Sequence, residues 1–328
     1  MKKSFSAFSL TLVFCLLIIG NTAIAATQDK FNLPEPYLSW EKSYLDEFPD
    51  LQKFLEVMIT TTATQLQSPS EDILHNRVCS ALAYEMSKDL PPEKRKLAIA
   101  TDILHNIAKE DKTAVLTDPK VFKKATEMVT ELKKAGYFRS SPDFWGDAQV
   151  LLNTKVGANR ALIHHITGGL TAAQIAKQIG GFSEKEIQEM QAAVIEHSTG
   201  YWYFRDSVDQ AAGKKGAWHA VYPEPAREIS KIAHDADLIS QFVPESVVPD
   251  GSKWRMLAKK RWGAKDTKEE GQIVYYVFLR LYEEAKTIKG KEMAREKWEK
   301  IRPQLMKLMN LDPDQDPIKV LGVPAVFQ

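Results

Sequence analysis

Helical periodicity dominates this sequence and is the feature that most limits the folds open to the chain. Apolar residues recur at intervals of three and four through most of its 328 residues, which is typical of amphipathic helices. Alternating runs rich in valine, isoleucine and threonine, which would predict strands, are missing from the sequence. Hydrophobic residues make up 44% and charged residues 27%, as in an ordinary globular protein. We therefore expect an all-α fold.

Capping residues and helix breakers place the ends of the predicted helices. Ser183 and Glu186 form a capping box ahead of one periodic segment, and Thr267 and Glu270 predict a second box. Prolines and glycines delimit the other segments. Helices are predicted for residues 71–90, 93–109, 118–136, 184–200, 226–242, 271–287 and about 290–310.

The first 25 residues have the pattern of a secretory signal peptide. Lys2 and Lys3 precede an apolar run, and Ala23 and Ala25 fit a small-residue cleavage site. The run is short for a membrane span, so no stable membrane insertion is expected after cleavage. We expect export, and a bacterial periplasm agrees with a mature chain in which Cys79 is the single cysteine.

The charge balance limits the classes of partner. Removing residues 1–25 takes away two lysines and no acid, so the formal net charge changes from +1 to −1. A chain with so little net charge is not expected to bind nucleic acid or a membrane surface in general.

A proline- and glycine-containing segment divides the mature chain. The sequence VPESVVPDGS, residues 243–252, follows a long predicted helix. It predicts a helical domain over residues 26–245 and a C-terminal helical extension over residues 246–328. The alternative is that the C-terminal helices pack onto the same core.

Five histidines lie within helix-like segments, on or beside the apolar stripe. A buried histidine is costly unless its ring nitrogens find partners, and a single one is more often a core residue than a metal ligand. Several on separate helices, together with the HDAD sequence that ends at Asp237, favour a transition-metal site. These histidines are His75, His105, His164, His165 and His197.

The order of these motifs resembles that of a known enzyme family. HNRV supplies His75, LHNIAK supplies His105 and Lys109, and IAHDADLI supplies Asp237. HHITGG and AAVIEHSTG add His165 or His164, and His197. This ordered set resembles the HD superfamily of metal-dependent phosphohydrolases over about residues 55–245, and the C-terminal helices resemble the tail of one bacterial branch more loosely.

The resemblance implies an HD-like helical bundle with additional C-terminal helices. It implies that His75, His105 and Asp237 hold a divalent ion, and that His197 with His164 or His165 reaches a second one. Manganese, iron, zinc, nickel, cobalt and magnesium all remain open. A bound ion would polarise a phosphate oxygen and acidify water. The expected substrate is a small-molecule phosphate ester, possibly a nucleotide.

Asn106 stands where the family has the aspartate of its namesake pair. The amide keeps a carbonyl oxygen but carries no charge, so weaker metal binding, a single ion or a substitute ligand is expected. Asp102 lies one helical turn before Asn106 and is the preferred substitute. Asp235, which lies two residues before Asp237, and Glu196, which directly precedes His197, are further candidates, although each points away from the neighbouring proposed ligand on an ideal helix.

Other residues are candidates for binding the substrate. Lys109 could hold a phosphate or be a solvated helix-end lysine, and Arg77 could reach a phosphate or pair with an acid in the core. Residues 198–225 are expected to form a long loop between the helices of His197 and Asp237. Its Trp202, Arg205 and Lys214 could bind the substrate, or the loop could pack on its own aromatic residues.

The sequence leads to one preferred function and two alternatives. The preferred function is a periplasmic metal-dependent phosphohydrolase in which Lys109, Asn106 and Arg77 line the reacting centre. The first alternative is a non-catalytic binding protein that kept the fold after losing the aspartate. The second is a diiron oxygenase of the same fold, which loss of the bridging carboxylate disfavours.

Overall fold

A computed structural model describes residues 33–65, 70–138, 148–199 and 201–328. Within these ranges the chain forms α-helices and two short 3-10 helices and has no strand, which confirms the all-α prediction. The predicted signal peptide lies outside the described residues. The α-helices are α1 (Tyr37–Glu47), α2 (Leu51–Gln65), α3 (Ser70–Met86), α4 (Pro92–Leu104), α5 (Pro119–Lys134), α6 (Ala148–Asn153), α7 (Lys155–Ala158), α8 (Arg160–Ile179), α9 (Glu184–Glu196), α10 (Tyr201–Ala212), α11 (Glu228–Ser240), α12 (Pro244–Val247), α13 (Lys253–Lys260), α14 (Thr267–Glu284), α15 (Ile288–Leu308) and α16 (Pro317–Leu321).

Local capping explains where several of these helices begin. Ser183 and Glu186 form the predicted capping box of α9. The second predicted box is wrong, because the N-cap of α14 is Asp266, whose side chain accepts from the backbone N–H of Glu269, and the Glu269 carboxylate accepts from Lys265 N–H instead of the N-cap N–H. Glu270, which was predicted to be the acidic partner in this box, is buried and pairs with Arg255.

Helices α3, α4, α9 and α11 surround the centre of the molecule. Helix α3 packs against α1, α4 and α11, and α9 packs against α4, α8 and α11. The carboxyl ends of α4 and α9 carry His105 and His197 as their C-cap residues. The packing therefore brings together the histidine-bearing segments that are far apart in sequence.

The apolar core is continuous across the proline-containing segment 243–252. One core cluster includes residues from Leu33 to Met309. The Phe242 ring lies 4.9 Å from that of Phe278, and Trp254 contacts Phe278 at 5.1 Å between ring centroids. The C-terminal helices thus share the core of the preceding helices.

The segment expected to be a long loop contains regular structure. Residues Tyr201–Ala212 form α10, and a 3-10 helix follows at Ala217–Ala220. The aspartate Asp209 accepts from the backbone N–H groups of Gly216 and Trp218 and closes the turn between the two elements. No helix within the described ranges is long and apolar enough to span a membrane.

A buried carboxylate attaches the longest C-terminal helix to the centre. Asp235 of α11 accepts hydrogen bonds from the backbone N–H groups of Lys286 and Thr287 and from the Thr287 hydroxyl, at 2.7–3.1 Å. Thr287 is in turn the N-cap of α15. A Cβ added to Gly290 would lie 2.2 Å from Asp235 Oδ2 and 2.6 Å from Thr287 Oγ1, so only glycine allows this close approach.

Replacing this glycine should therefore loosen the attachment of α15. We expect Gly290→Ala to lower the free energy of unfolding by about 2 kcal/mol, because the added methyl group must separate the cap from Asp235. Urea denaturation followed by circular dichroism measures the change. The matched control is Lys291→Ala at the next, exposed position, and equal stability of the two variants would contradict the prediction.

Candidate metal centre

Four potential metal ligands converge from three helices. His75 and Cys79 lie one turn apart on α3, His105 ends α4, and Asp237 lies on α11. One ligand atom from each of them lies within 4.8 Å of all the others. His105 and Cys79 are fully buried, whereas the side chains of His75 and Asp237 retain 19% and 15% exposure. The group could hold a metal ion.

Hydrogen bonds from Nδ1 fix the histidine rings and direct the Nε2 atoms of His75 and His105 toward each other. The Nδ1–H groups of His105 and His197 donate to the carbonyls of Asp102 and Val194, each at 2.6 Å. In His75, Nδ1–H donates to Ser240 Oγ at 3.2 Å, because that hydroxyl donates to the Asp237 carbonyl. Such bonds orient metal-binding imidazoles in known sites.

The separations within the group fit a coordinated ion. Nε2 of His75 lies 3.2 Å from Nε2 of His105 and 3.2 Å from Oδ1 of Asp237. Ligands bonded at about 2.1 Å stand about 3.0 Å apart in octahedral and about 3.4 Å apart in tetrahedral coordination. Two imidazole lone pairs at this distance repel unless a proton or a cation lies between them. The residues present therefore fit a metal ion.

Burial and neighbouring groups control the charges of the centre. Burial, together with the nearby His197 and His75, holds the pKa of His105 well below its usual value, so its ring is neutral and can donate a lone pair. Burial alone would raise the pKa of Asp237, but the hydrogen bond from His75 and the surrounding imidazoles outweigh it and lower that pKa. Burial, and next Asp237, raise the pKa of the Cys79 thiol.

Asn106 lies directly beside the candidate ligands. Its Nδ2 atom contacts His105 Nε2 at 2.9 Å, and the residue is 8% exposed. The amide therefore occupies the position next to the His105 lone pair and brings no negative charge.

Asp102 is a buried carboxylate without a hydrogen-bond partner. It is fully buried, and neither of its oxygens finds a donor. Burial, and next the charge of Asp237, raise its pKa well above the usual value. A carboxylate in this state is costly unless a cation approaches it, so Asp102 is suited to offset the charge of a bound ion.

The other two acidic candidates face away from the centre. Asp235 caps α15, as described above, and also accepts from His234 Nδ1 at 3.0 Å. Glu196 is buried, and its burial raises the pKa of its carboxyl to about 7, although Ser230 and the backbone at Ala226 lower it.

His197 and His164 follow His105 as neighbouring rings, whereas His165 has different partners. The His197 ring lies 4.9 Å from that of His105, and the His164 ring lies 5.4 Å from that of His197. His165 instead donates from Nε2 to the Val221 carbonyl at 2.6 Å and stacks on Tyr222. Of the two neighbouring histidines, His164 is the one on the side of the metal centre.

The predicted phosphate-binding residues occupy different places. Arg77 is buried and forms a two-point ion pair with Glu41 of α1, with contacts of 2.8 and 2.5 Å. Lys109 lies closer to solvent, pairs with Asp72 at 3.2 Å and lines a cleft of about 420 Å³ with Lys155 and Arg160. Lys109 therefore remains accessible to an anion, whereas Arg77 holds α1 against α3.

The three candidates from residues 198–225 are dispersed. Trp202 packs edge-on against Tyr276 and Phe327 near the C-terminus. Arg205 is exposed and pairs with Asp206, and Lys214 is exposed at the turn after α10. The side chains of these three residues do not form a common surface with the four-ligand group.

Sequence reasoning missed Cys79. The signal was available, since Cys79 follows His75 by four residues on the same predicted helix, and residues so spaced lie on one face. Its Sγ atom lies 3.7 Å from His75 Nε2.

Comparisons with known proteins do not identify the chain. No family model matches the chain, and comparisons with curated proteins and with solved structures give no significant match. The resemblance to the HD superfamily therefore stays a prediction based on the ordered motifs.

If Asp102 offsets the charge of a bound ion, removing its charge should weaken metal binding. We expect Asp102→Asn to lower the affinity for Zn²⁺ or Mn²⁺ by about tenfold, as measured by isothermal titration calorimetry. The control is Asp314→Asn at an exposed position. An unchanged affinity would show that Asp102 does not act on the ion.

The same substitution should change how the stability of the metal-free protein depends on pH. Because the pKa of Asp102 is raised in the folded state, its contribution to stability is present below the unfolded pKa of about 4 and is lost as the pH rises through the folded pKa. Asp102→Asn should therefore match the wild type near pH 4 and become more stable by pH 8. Urea midpoints in the presence of chelator measure the difference, and a constant difference across this range would contradict it.

Proposed function

We propose that this protein is a metal-dependent hydrolase of phosphate esters. The observation that carries the proposal is the convergence of His75, His105 and Asp237, whose atoms lie at separations suited to one ion. These residues are the ones that the HD-like motifs had singled out from distant parts of the chain. Export to the periplasm is part of the proposal and rests on residues 1–25.

In this proposal each residue of the centre has a defined task. His75, His105 and Asp237 would hold the ion, which would supply Lewis acidity toward a phosphate oxygen and acidify water. Cys79 would add a soft donor, and imidazole with thiolate favours zinc, iron, cobalt or nickel over magnesium. The buried Asp102 would offset positive charge.

Other groups would bind the phosphate, orient Asp237 or add donors for a second ion. Lys109 can exchange its ion pair with Asp72 for a substrate phosphate, because both side chains are partly exposed. The Thr199 hydroxyl donates to Asp237 Oδ2 at 3.3 Å and keeps this oxygen oriented. His197 and His164 extend the donor set beyond His105 and would hold a second ion if one binds.

A non-catalytic binding protein is the second candidate function. The observation that favours it is the contact of the Asn106 amide with His105 Nε2 at 2.9 Å, since an amide there neither bridges two ions nor neutralises their charge. A diiron oxygenase depends on a carboxylate that bridges two ions more strongly than a phosphohydrolase or a binding protein does.

Metal analysis and a general phosphate ester test the proposal. The purified protein should contain about one transition-metal ion per chain and hydrolyse p-nitrophenyl phosphate under at least one divalent ion. His105→Ala should lose the metal and reduce hydrolysis by at least about 100-fold, because it removes a ligand. The control is His219→Ala at an exposed position.

The reverse substitution separates the candidate functions. Asn106→Asp should raise metal affinity or activity in a phosphohydrolase, because it adds a charged ligand beside His105. Bound metal without hydrolysis in both the wild type and Asn106→Asp would favour the binding protein. Two iron atoms per chain with oxygen uptake would instead point to the oxygenase.

A further inference from the structure

A large cavity adjoins the outer side of the candidate metal centre. Its volume is about 970 Å³, within the range of small-molecule sites. His75, Ser240 and Gln241 all line it. Each contacts the centre, since His75 and Gln241 reach Asp237 Oδ1 at 3.2 and 3.4 Å and Ser240 accepts from His75. Because His75 is itself a candidate ligand, the cavity reaches the edge of the centre.

Aliphatic side chains form much of the cavity wall. Leu74 and Val78 of α3 and Met256 and Leu257 of α13 all line it. Met256 is 41% exposed and belongs to the few large apolar side chains that the described residues leave open to solvent. Burying this surface against an apolar ligand would be favourable.

The cavity offers little aromatic surface for stacking. Tyr37 and Phe242 line it, but they are only 8% and 1% exposed. The amino group of Lys297 lies 5.4 Å from the centroid of the Tyr37 ring and donates to its hydroxyl at 2.6 Å. A nucleobase binds best against an open aromatic face, so these walls suit an aliphatic group better than a base.

Lysines add positive charge to the apolar wall. Lys253 and Lys260 of α13 and Lys300 of α15 line the cavity, and no described carboxylate lies within ion-pairing distance of any of the three. The glutamates Glu35, Glu71 and Glu245 also line it, so the charge is mixed.

Lys253 is the lysine electrostatically linked to the metal centre. Desolvation, and next the charge of Lys109, lower its pKa, while Asp237 acts in the opposite direction. The Lys253 side chain is exposed and lines the cavity. A phosphate beside it would also be attracted by the charge of Lys109, so both lysines could act on one phosphate.

We propose that the cavity binds an amphiphilic phosphate monoester, with its aliphatic chain along Leu74, Val78 and Met256 and its phosphate at Lys253. This inference rests on the proposed phosphohydrolase function and names its substrate class. The site would select the ester for the chain as well as for the phosphate.

Calorimetric titration with octyl phosphate, below the concentration at which it forms micelles, tests the proposal on the full mature protein. Inorganic phosphate, AMP and octyl glucoside are the comparison ligands. Octyl phosphate should bind at least about tenfold more tightly than each of them, because it alone combines the chain with the charge.

Two substitutions with matched controls locate the binding. Met256→Glu should weaken octyl phosphate binding by at least about tenfold, and Lys253→Gln by at least about fivefold. The controls are Ile288→Glu, at a side chain 82% exposed, and Lys123→Gln, at one 78% exposed. Neither control residue lines the cavity, and both variants should bind like the wild type.

The outcomes separate this inference from the proposed function. Preferential binding that both cavity variants lose supports the inference, even if no phosphate ester is hydrolysed. If hydrolysis is metal-dependent but AMP or inorganic phosphate binds as tightly as octyl phosphate, the inference is overturned while the phosphohydrolase stands. Equal effects of Met256→Glu and Ile288→Glu would also overturn it.

Discussion

The hydrogen bonds from histidine Nδ1 atoms to protein acceptors are the constraint on which the candidate centre depends. In His105 and His197 the acceptor is a carbonyl one turn back in the same helix, so the ring direction follows from the helix itself. In His75 the acceptor is Ser240 of a different helix. These bonds expose the Nε2 atoms to one another, and only the packing of α3 on α4 and α11 makes them meet beside Asp237.

Asp235 and Asp237 of α11 make different contacts. Asp237 faces the imidazoles, whereas Asp235, two residues earlier, accepts four hydrogen bonds at the start of α15. Adjacent and near-adjacent residues of a helix point in different directions, so one helix can both present a ligand and secure the C-terminal helices. The core that continues across residues 243–252 makes the same connection with apolar contacts.

The centre carries a cost that an apolar core would not have. Asp102 is buried with no donor, and Asp237 keeps a lowered pKa only because imidazoles surround it. Burying such groups without partners opposes folding. The larger cavity is lined by His75 and so reaches this charged group, whereas the cleft at Lys109 is lined by none of the four candidate ligands.

The sequence by itself determined the helical class, the positions of seven helices and the candidate ligands His75, His105 and Asp237, because periodicity, capping residues and motif order are local signals. It could not decide between His164 and His165, because only contacts with Val221 and Tyr222 turn one of them away. Tertiary structure also assigned Arg77 to Glu41, placed Cys79 among the ligands and left Asp102 without a partner. Those outcomes depend on which helices pack together. The local sequence pattern of one helix does not specify which distant helix it contacts.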